Sequence, residues 1–224
     1  MFFFIFLFFI SHVYSLPSFL IGEHPLATHF VKERTDIYNV TQNLLNVLKN
    51  AGGGRLTIAN GTYVLSKNIE MGNNTHFTGF GMFETILQLD DFASKFSKAG
   101  FVRTVRTRNI LITNLTLDGN KHRQMIDGID NNLPKNVSYK YSTRYGRYGL
   151  FTEGCYNVTF DTVRTMNFQG YGFDPHGQKK TNIYGYTLVI KNCLATHNDW
   201  DGFTLDQTND IYVFNCTARS NGRH

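Results

Sequence analysis

The stretches Leu188-Val-Ile-Lys-Asn-Cys193 and Ile211-Tyr-Val-Phe-Asn-Cys216 are two copies of one strand-and-turn unit. Asn157-Val-Thr-Phe-Asp-Thr-Val163 is a third copy, and Asn109-Ile-Leu-Ile-Thr-Asn-Leu115 is an earlier one. From Val163 to Cys193 is 30 residues, and from Cys193 to Cys216 is 23. Near-constant spacing with occasional insertions is typical of a solenoid. The connections are too long and irregular for the hairpins of a sandwich or propeller. The sequence therefore predicts an all-β fold, a right-handed parallel β-helix.

Upstream of these repeats, one helix is followed only by short strands. Residues 36–50 have apolar side chains at 3.6-residue spacing, and Gly52-Gly53-Gly54 ends the pattern. The expected strand pieces are Arg55–Ile58, Thr62–Leu65, Thr75–Thr78 and Thr85–Leu89. We interpret the helix as a cap over the open N-terminal end of the solenoid. Residues 16–35, with Pro17 and Pro25, are expected to be an irregular lead-in, and residues 36–224 the β-helix domain.

The composition bounds the class of protein and its partner. With 224 residues and 42% hydrophobic content, the chain is long enough for one ordered domain or one repeat array. The net charge of +5 favours an acidic partner, either nucleic acid or an acidic polysaccharide. The sequence has no block of five or more lysines and arginines, which weakens the nucleic-acid alternative.

The first fifteen residues resemble a secretory signal. They form an apolar run, and Val13 and Ser15 fit the cleavage-site positions. The run is short for a membrane span, so we expect cleavage and secretion rather than stable membrane insertion. Seven glycosylation sequons agree with that compartment; they are headed by Asn39, Asn60, Asn73, Asn114, Asn136, Asn157 and Asn215.

The three cysteines are Cys155, Cys193 and Cys216. An odd number leaves at least one of them free or paired outside the chain. Since Cys193 and Cys216 end two copies of the repeat, we expect them to stack inward as small core residues rather than form a disulfide. Their spacing gives no zinc motif.

The stretch with the most chemistry is Gly170-Tyr-Gly-Phe-Asp-Pro-His176. If it is a strand, Tyr171 and Phe173 lie on one face, and Asp174 and His176 lie side by side on the other. The carboxylate of Asp174 would then orient the imidazole of His176 and hold its tautomer. The glycines permit a bend that brings the Tyr171 hydroxyl back over the site. We interpret this stretch as a proton-transfer site.

The repeat spacing gives this stretch its neighbours. Counting by 30 and then 23 places Tyr171, Asp201 and His224 in one phase, and sets His176 over Asp206. Adjacent rungs stack at roughly 4.8 Å. Titratable groups concentrated on one face of a solenoid indicate a functional site.

At this point the sequence resembles a known family. The stretch around Tyr171, together with Asn198-Asp-Trp-Asp-Gly-Phe203 and Asn221-Gly-Arg-His224, is similar to the catalytic module of mannuronan C5-epimerases. Asn114-Leu-Thr-Leu-Asp-Gly-Asn120 and Gly79-Phe-Gly-Met-Phe-Glu-Thr85 resemble other turns of that module. These enzymes convert β-D-mannuronate to α-L-guluronate within polymeric alginate, so the resemblance implies an isomerase that acts on an acidic polysaccharide.

The resemblance also implies roles for individual residues. The family's catalytic tyrosine, aspartate and two histidines fall on Tyr171, Asp174, His176 and His224. A substrate-binding arginine falls on Arg223, and a groove aspartate falls on Asp206. Asp201, which the repeat spacing places in phase with Tyr171, is a further candidate for substrate binding. The family's groove lysine has no clear counterpart in Gln124-Met-Ile-Asp-Gly128, which leaves Lys121 and Arg123 as substitutes.

The residue types suit this chemistry independently. The C5 proton of a uronate becomes acidic when its carboxylate is neutralised, which Arg223 or a protonated imidazole could do. A base then removes the proton on one face of the sugar and an acid returns one on the other. We assign His176 as the base, Tyr171 as the donor, Asp174 as the orienting group and His224 as a partner of the carboxylate. The opposite assignment of base and donor stays open.

Three alternatives remain at this stage. A polyuronate lyase on the same scaffold shares the intermediate and differs in the departure of the 4-O leaving group. A non-catalytic polysaccharide-binding solenoid is the second alternative, and a nucleic-acid binder the third.

The resemblance also implies Ca²⁺ as a cofactor. The sequence has no EF-hand or nonapeptide calcium repeat, so no residue is assigned to a metal. We expect a monomer that is secreted to the extracellular space or cell wall. Because the sequence stops at His224, directly after the last match, we expect an incomplete solenoid that is poorly stable and weakly active by itself.

Overall fold

The computed structural model describes residues 16–91, 93, 99–124, 148–177 and 183–223. The predicted signal at residues 1–15 and the candidate catalytic His224 lie outside the described residues. One α-helix, α1, spans Tyr38–Asn50, and a short 3₁₀ helix spans Lys121–Arg123. The strands are β1 Ser18–Gly22, β2 His29–Phe30, β3 Gly54–Ile58, β4 Gly61–Leu65, β5 Ile69–Glu70, β6 Thr75–Thr78, β7 Thr85–Leu89, β8 Val102–Val105, β9 Arg108–Asp118, β10 Leu150–Glu153, β11 Tyr156–Met166, β12 Phe173–His176, β13 Gly185–Lys191, β14 Leu194–Thr196, β15 Thr208–Phe214 and β16 Thr217–Arg219.

These strands stack in parallel along the axis of a solenoid. The larger sheet runs in the order β15-β13-β11-β9-β6-β3-β1-β2, and a smaller sheet runs β12-β10-β8-β5. Along the main stack from β3 to β15, paired strands are never consecutive in the chain, because at least one other strand lies between them. This is the parallel β-helix that the repeats predict.

The register confirms the alignment of the repeats. Val158 pairs with Ile110 on one side and with Leu188 on the other, and Leu188 pairs with Ile211. The predicted spacings of 30 and 23 residues are therefore the spacings of adjacent rungs. Cys193 is buried and Cys216 partly buried, both as free thiols, and Cys216 packs against the apolar core, as expected for inward-facing positions.

Asparagines lie at the corners of the solenoid where β6, β9 and β11 begin. Asn74, Asn109 and Asn157 all have left-handed backbone conformations, with φ of 52°, 57° and 54°. Asparagine tolerates this conformation better than most residues. Their amides form a ladder: Asn157 donates to Asn109 at 2.9 Å, and Asn109 donates to Asn74 at 2.8 Å. Asn157, which heads a glycosylation sequon, therefore also has a structural role; glycosylation itself stays a prediction.

The helix caps the N-terminal end as the sequence predicts. Its buried residues Leu44, Leu45 and Leu48 join the core cluster that runs through the solenoid. The side chain of Asp36 accepts hydrogen bonds from the amides of Tyr38 and Ser66, at 2.9 and 3.1 Å. It thus links the start of α1 to the turn after β4.

The expected irregular lead-in at residues 16–35 needs a correction. Ser18–Gly22 forms β1, which pairs in parallel with β3, so the solenoid begins before the helix. Pro17 fits because it lies just outside the strand, where its carbonyl accepts the amide of Arg55 at 2.9 Å. The lead-in is therefore part of the first rung.

Candidate functional site

The smaller sheet is the platform of the candidate site. Its parallel register places Glu70, Arg103, Phe151 and Asp174 in one row across β5, β8, β10 and β12. Two residues further along the strands, Glu153 pairs with His176. Side chains in such a row are roughly 4.8 Å apart. Charged and aromatic groups therefore neighbour one another along the sheet, and Arg103, Phe151 and Asp174 are buried.

Phe173 fixes the direction in which Asp174 points. Its side chain is fully buried and stacks on Phe203 of the next rung, with ring centroids 4.6 Å apart. Because side chains alternate along a strand, the inward position of Phe173 turns Asp174 to the outer face. Gly172 permits this close stacking, since a Cβ there would lie 2.4 Å from Thr165 Oγ1 and 2.7 Å from the carbonyl of Gly202.

Tyr171 does not follow Phe173 to the inner face, which corrects the face assignment made from the sequence. Strand β12 begins at Phe173, and Tyr171 lies in the bend before it. The ring of Tyr171 contacts Trp200 and Tyr148, with centroid distances of 4.9 and 5.0 Å. The bend thus brings its hydroxyl to the polar side, as the glycines suggested.

The electrostatics of Tyr171 keep its hydroxyl protonated. Burial is the main cause that raises its pKa above the ordinary value, and the charges of Asp174 and Asp201 add to it. Arg223 acts in the opposite direction. A phenol with a raised pKa is a neutral hydrogen-bond and proton donor at physiological pH.

Asp174 is the most perturbed acid of the cluster. It is 4% exposed, and burial raises its pKa to about 7, with the nearby charge of Asp206 as a further cause. A carboxyl group with this pKa carries its proton in a large fraction of molecules near neutral pH. Such perturbed acids in a groove are candidates for a functional role.

His176 lies over Asp206, as the rung spacing predicts. Its Nδ1 is 4.0 Å from Asp206 Oδ2, and its ring stacks on Phe151 with a centroid distance of 6.3 Å. From the sequence, we expected the carboxylate of Asp174 to orient the imidazole of His176. In the structure the carboxylate that faces Nδ1 is Asp206, because the neighbouring rung presents it to the ring edge.

Arg223 and Trp200 form one side of the cluster. The guanidinium of Arg223 lies 5.0 Å from the centre of the Trp200 ring. Asp201, predicted to share a phase with Tyr171, accepts the amide of Gly172 through its carbonyl at 3.1 Å. The structure therefore brings together Tyr171, Asp174, His176, Asp201, Asp206 and Arg223.

The two substitutes for the groove lysine lie elsewhere. Lys121 Nζ binds Asp199 Oδ1 at 2.9 Å and the carbonyl of His197 at 2.5 Å, at the corner next to Trp200. Arg123 pairs with Asp91 at 2.7 Å. Of the two, only Lys121 reaches the rung that carries Trp200, and its role in substrate binding stays a prediction.

Several residues of the platform were missed by sequence reasoning. Arg103 is buried in the row of Asp174, with its guanidinium 5.7 Å from the Phe151 ring and its Nε 3.4 Å from Glu70 Oε2. Tyr148 and Trp200 complete an aromatic cluster, with centroids 6.1 Å apart. Trp200 is the only tryptophan of the chain, which was the one available signal.

No calcium site can be assigned. Within the described ranges, no three His, Cys, Asp or Glu side chains converge in a way that could hold a metal ion. Likewise, no helix in this part of the chain is long and apolar enough to cross a membrane.

The chain is a parallel β-helix that carries a tyrosine, a buried carboxyl and a histidine on one face. Comparison with known proteins identifies its family. Mannuronan C5-epimerase AlgE3 of Azotobacter vinelandii is 31% identical over 185 residues, which is 78% of this chain and 9% of that protein. Alginate lyase 7 of the same organism is 29% identical over 206 residues, which is 85% of this chain and 21% of that protein. No protein-family model matches the chain.

The solved structures agree. The A-module of mannuronan C-5 epimerase AlgE4 from Azotobacter vinelandii superimposes with a TM-score of 0.69 at 26% identity, over 85% of this chain and 49% of that one. The chain is therefore a relative of the mannuronan C5-epimerases, and the resemblance in its sequence is confirmed. It spans about half of the solved module and a smaller share of the curated relatives.

Proposed function

We propose that this protein is a mannuronan C5-epimerase, which converts β-D-mannuronate to α-L-guluronate residues in polymeric alginate. The observation that carries the proposal is the convergence of Tyr171, Asp174 and His176 on one face of a fold shared with such enzymes.

Neutralisation of the substrate carboxylate is the first requirement. Arg223 supplies a positive charge at one side of the groove, held against Trp200. Asp174, with a pKa of about 7, offers a proton that can hydrogen-bond to the uronate carboxylate. Both contacts strengthen as negative charge moves onto the carboxylate when the C5 proton leaves, so they stabilise the transition state more than the ground state.

Proton transfer at C5 then needs two groups on opposite faces of the sugar. We assign His176 as the base, with its other nitrogen facing Asp206, whose negative charge stabilises the imidazolium that forms. Tyr171 is the donor, because its raised pKa keeps it protonated. The C5–H bond breaks with its proton on His176, the electron pair is held by the carboxylate, and the proton of Tyr171 forms the new C5–H bond. The phenolate then regains a proton from water, and the imidazolium of His176 gives its proton to the hydroxide that remains, which restores both groups.

The similarity to alginate lyase 7 supports a second candidate. A lyase makes the same intermediate but expels the 4-O leaving group before C5 is reprotonated. Incubation with polymannuronate separates the two outcomes: new guluronate signals in proton NMR support the epimerase, and new ultraviolet absorbance from unsaturated chain ends supports the lyase. If neither product forms, and the protein and its Tyr171→Phe variant give the same result, the outcome supports a non-catalytic polysaccharide-binding solenoid.

The substrate also sets where the protein would act. A polymeric, anionic polysaccharide is extracellular, so we propose that the protein works outside the cell or in the cell wall. The apolar residues 1–15 and the sequons support this proposal. Calcium, which polyuronates chelate, is proposed as a partner of the substrate rather than of an assigned protein site.

A further inference from the structure

Lys121 joins three consecutive rungs at one corner of the solenoid. It opens the 3₁₀ helix after β9, and its amide donates to the carbonyl of Asn167, directly after β11, at 3.0 Å. Its Nζ reaches the next rung, where it binds Asp199 Oδ1 at 2.9 Å and the carbonyl of His197 at 2.5 Å. Both of these residues follow β14, which pairs with β11, as β11 pairs with β9. One side chain therefore holds together a corner that spans three turns of the chain.

The corner that Lys121 holds leads directly into Trp200. The amide of Asp199 donates to the carbonyl of Phe168 at 2.8 Å, and the amide of Trp200 donates to the carbonyl of Gly170 at 3.3 Å. The backbone of Asp199 is thus fixed by the preceding rung, while its carboxylate is fixed by Lys121. Because both ends of Asp199 are held, the path of the chain into Trp200 is set before any ligand binds.

Trp200 contacts two groups on which the proposed reaction depends. Its ring meets the ring of Tyr171 edge-on, with centroids 4.9 Å apart, and the guanidinium of Arg223 lies 5.0 Å from its centre. The amide of Arg223 also donates to the carbonyl of Trp200 at 3.4 Å. A displaced Trp200 would therefore move the proton donor and the guanidinium relative to each other.

The ammonium of Lys121 is engaged by acceptors of the protein itself. Its side chain is 16% exposed, whereas that of Arg123, on the same 3₁₀ helix, is 58% exposed. Two of its three N–H donors are used by Asp199 and by the carbonyl of His197. Arg123 extends the other way along the solenoid to Asp91, which follows β7. Of these two cations, Lys121 is the one that fixes the corner beside the site.

We propose that Lys121 is a positioning residue, whose ion pair with Asp199 sets Trp200 and thereby the placement of Tyr171 and Arg223 around the sugar. The inference rests on the proposed function, because it concerns the same reaction. It differs from the substrate-binding role predicted from the sequence, since Lys121 then acts through Trp200 and touches no polymer. Loss of the ion pair should slow the chemical step and leave binding of the polymer intact, because small misplacements of reacting groups lower the rate steeply.

The test compares Lys121→Met, Asp199→Asn and the double variant with Lys191→Met. Lys191 forms a second lysine–aspartate ion pair, with Asp161 at 3.2 Å, on paired strands of the larger sheet. Incubation of each variant with polymannuronate, after circular dichroism has shown that it is folded, gives kcat and KM for guluronate formation by proton NMR. Selective excitation of tryptophan reports the surroundings of Trp200, the only tryptophan of the chain.

We expect Lys121→Met and Asp199→Asn each to lower kcat about tenfold, to leave KM unchanged, and to shift the Trp200 emission by the same amount. The double variant should lose no more than either single variant, because both remove one interaction. Lys121→Arg, which can pair with Asp199 again, should recover part of the lost kcat. Lys191→Met should behave as wild type in all three measurements.

A raised KM in Lys121→Met, with wild-type values in Asp199→Asn, would assign Lys121 to substrate binding and overturn the positioning role. Additive losses in the double variant, or an equal loss in Lys191→Met, would overturn it as well. If the wild-type protein forms no guluronate, the proposed function fails, and fluorescence alone tests whether the ion pair sets Trp200. Equal emission shifts in the two single variants then support that restraint, and unchanged emission refutes it.

Discussion

His176 Nδ1 lies 4.0 Å from Asp206 Oδ2, across one rung of the solenoid. The charge of Asp206 also contributes to the raised pKa of Asp174. One carboxylate on the neighbouring rung therefore acts on both titratable groups of β12. It disfavours a negative charge on the buried carboxyl of Asp174, and it faces the Nδ1 edge of the His176 ring.

Replacing Asp206 by Asn should separate these effects. The substitution removes the charge and keeps the shape, so the pKa of Asp174 should fall. Burial, the larger cause, still holds it above its ordinary value. Carboxyl carbon NMR titration measures this directly. Asp210→Asn is the matched control, since Asp210 is exposed and its left-handed backbone accommodates asparagine. An Asp174 titration that is identical in the Asp206 variant and in wild type would refute the coupling.

Asp174 should also make stability depend on pH. Its pKa is about 7 in the folded protein against an ordinary value of 3.8, so the unfolded chain ionises first as pH rises. The favourable contribution is complete below about pH 4 and is lost as pH rises towards 7, by about 2–4 kcal/mol in the free energy of unfolding. Asp174→Asn should remove this slope. Urea unfolding from pH 4 to 8 measures it, with Asp210→Asn as the reference; parallel curves for Asp174→Asn and wild type would argue against the buried acid.

Tyr171→Phe should abolish catalysis without unfolding the protein. The ring keeps its contacts with Tyr148 and Trp200, and only the hydroxyl is lost. Loss of a general acid typically lowers the rate about 10²- to 10⁴-fold. Tyr156→Phe is the control, because Tyr156 is 51% exposed and stacks on Tyr186 of the larger sheet. Equal rates of guluronate formation in the two variants would show that the Tyr171 hydroxyl has no part in the reaction.

Asn198 should be a strong determinant of stability. It is 1% exposed, its Oδ1 accepts the amide of Phe168 at 3.1 Å, and its Nδ2 donates to Asn221 Oδ1 at 3.0 Å. Asn198→Ala leaves buried partners unsatisfied and should cost about 2–4 kcal/mol. Asn209→Ala, at an exposed position, should cost less than about 0.5 kcal/mol. Thermal melts of both variants measure the loss of stability. Similar midpoints would show that the hydrogen bonds of Asn198 contribute little.

The fold could be predicted because its repeats can be recognised in the sequence. The spacing between Val163, Cys193 and Cys216 is the rung spacing, and it places His176 over Asp206 without any structural information. Stacked rungs produce a repeating pattern of residue types, because each inward position must be apolar and each corner must turn in the same way.

Other features of the structure have no recognisable pattern in the sequence. The bend at Gly172 decides where Tyr171 points, and it depends on close packing against Thr165 of the same rung and Gly202 of the next one. Arg103 and Phe151 lie in strands with no recognisable copy of the repeat, so only the pairing of β8, β10 and β12 places them beside Asp174. The lead-in strand β1 is specified by its partner β3 rather than by its own pattern.

Solvent exchange at C5 tests the central claim most directly. Polymannuronate is incubated with the protein in D₂O, and the product is examined by NMR for guluronate and for deuterium at its C5. Because His176 takes the proton on one face and Tyr171 returns one in exchange with solvent on the other, we expect new guluronate with deuterium at C5, above the level of the Tyr171→Phe variant. Guluronate that retains protium at C5, or unsaturated chain ends without guluronate, would contradict the account.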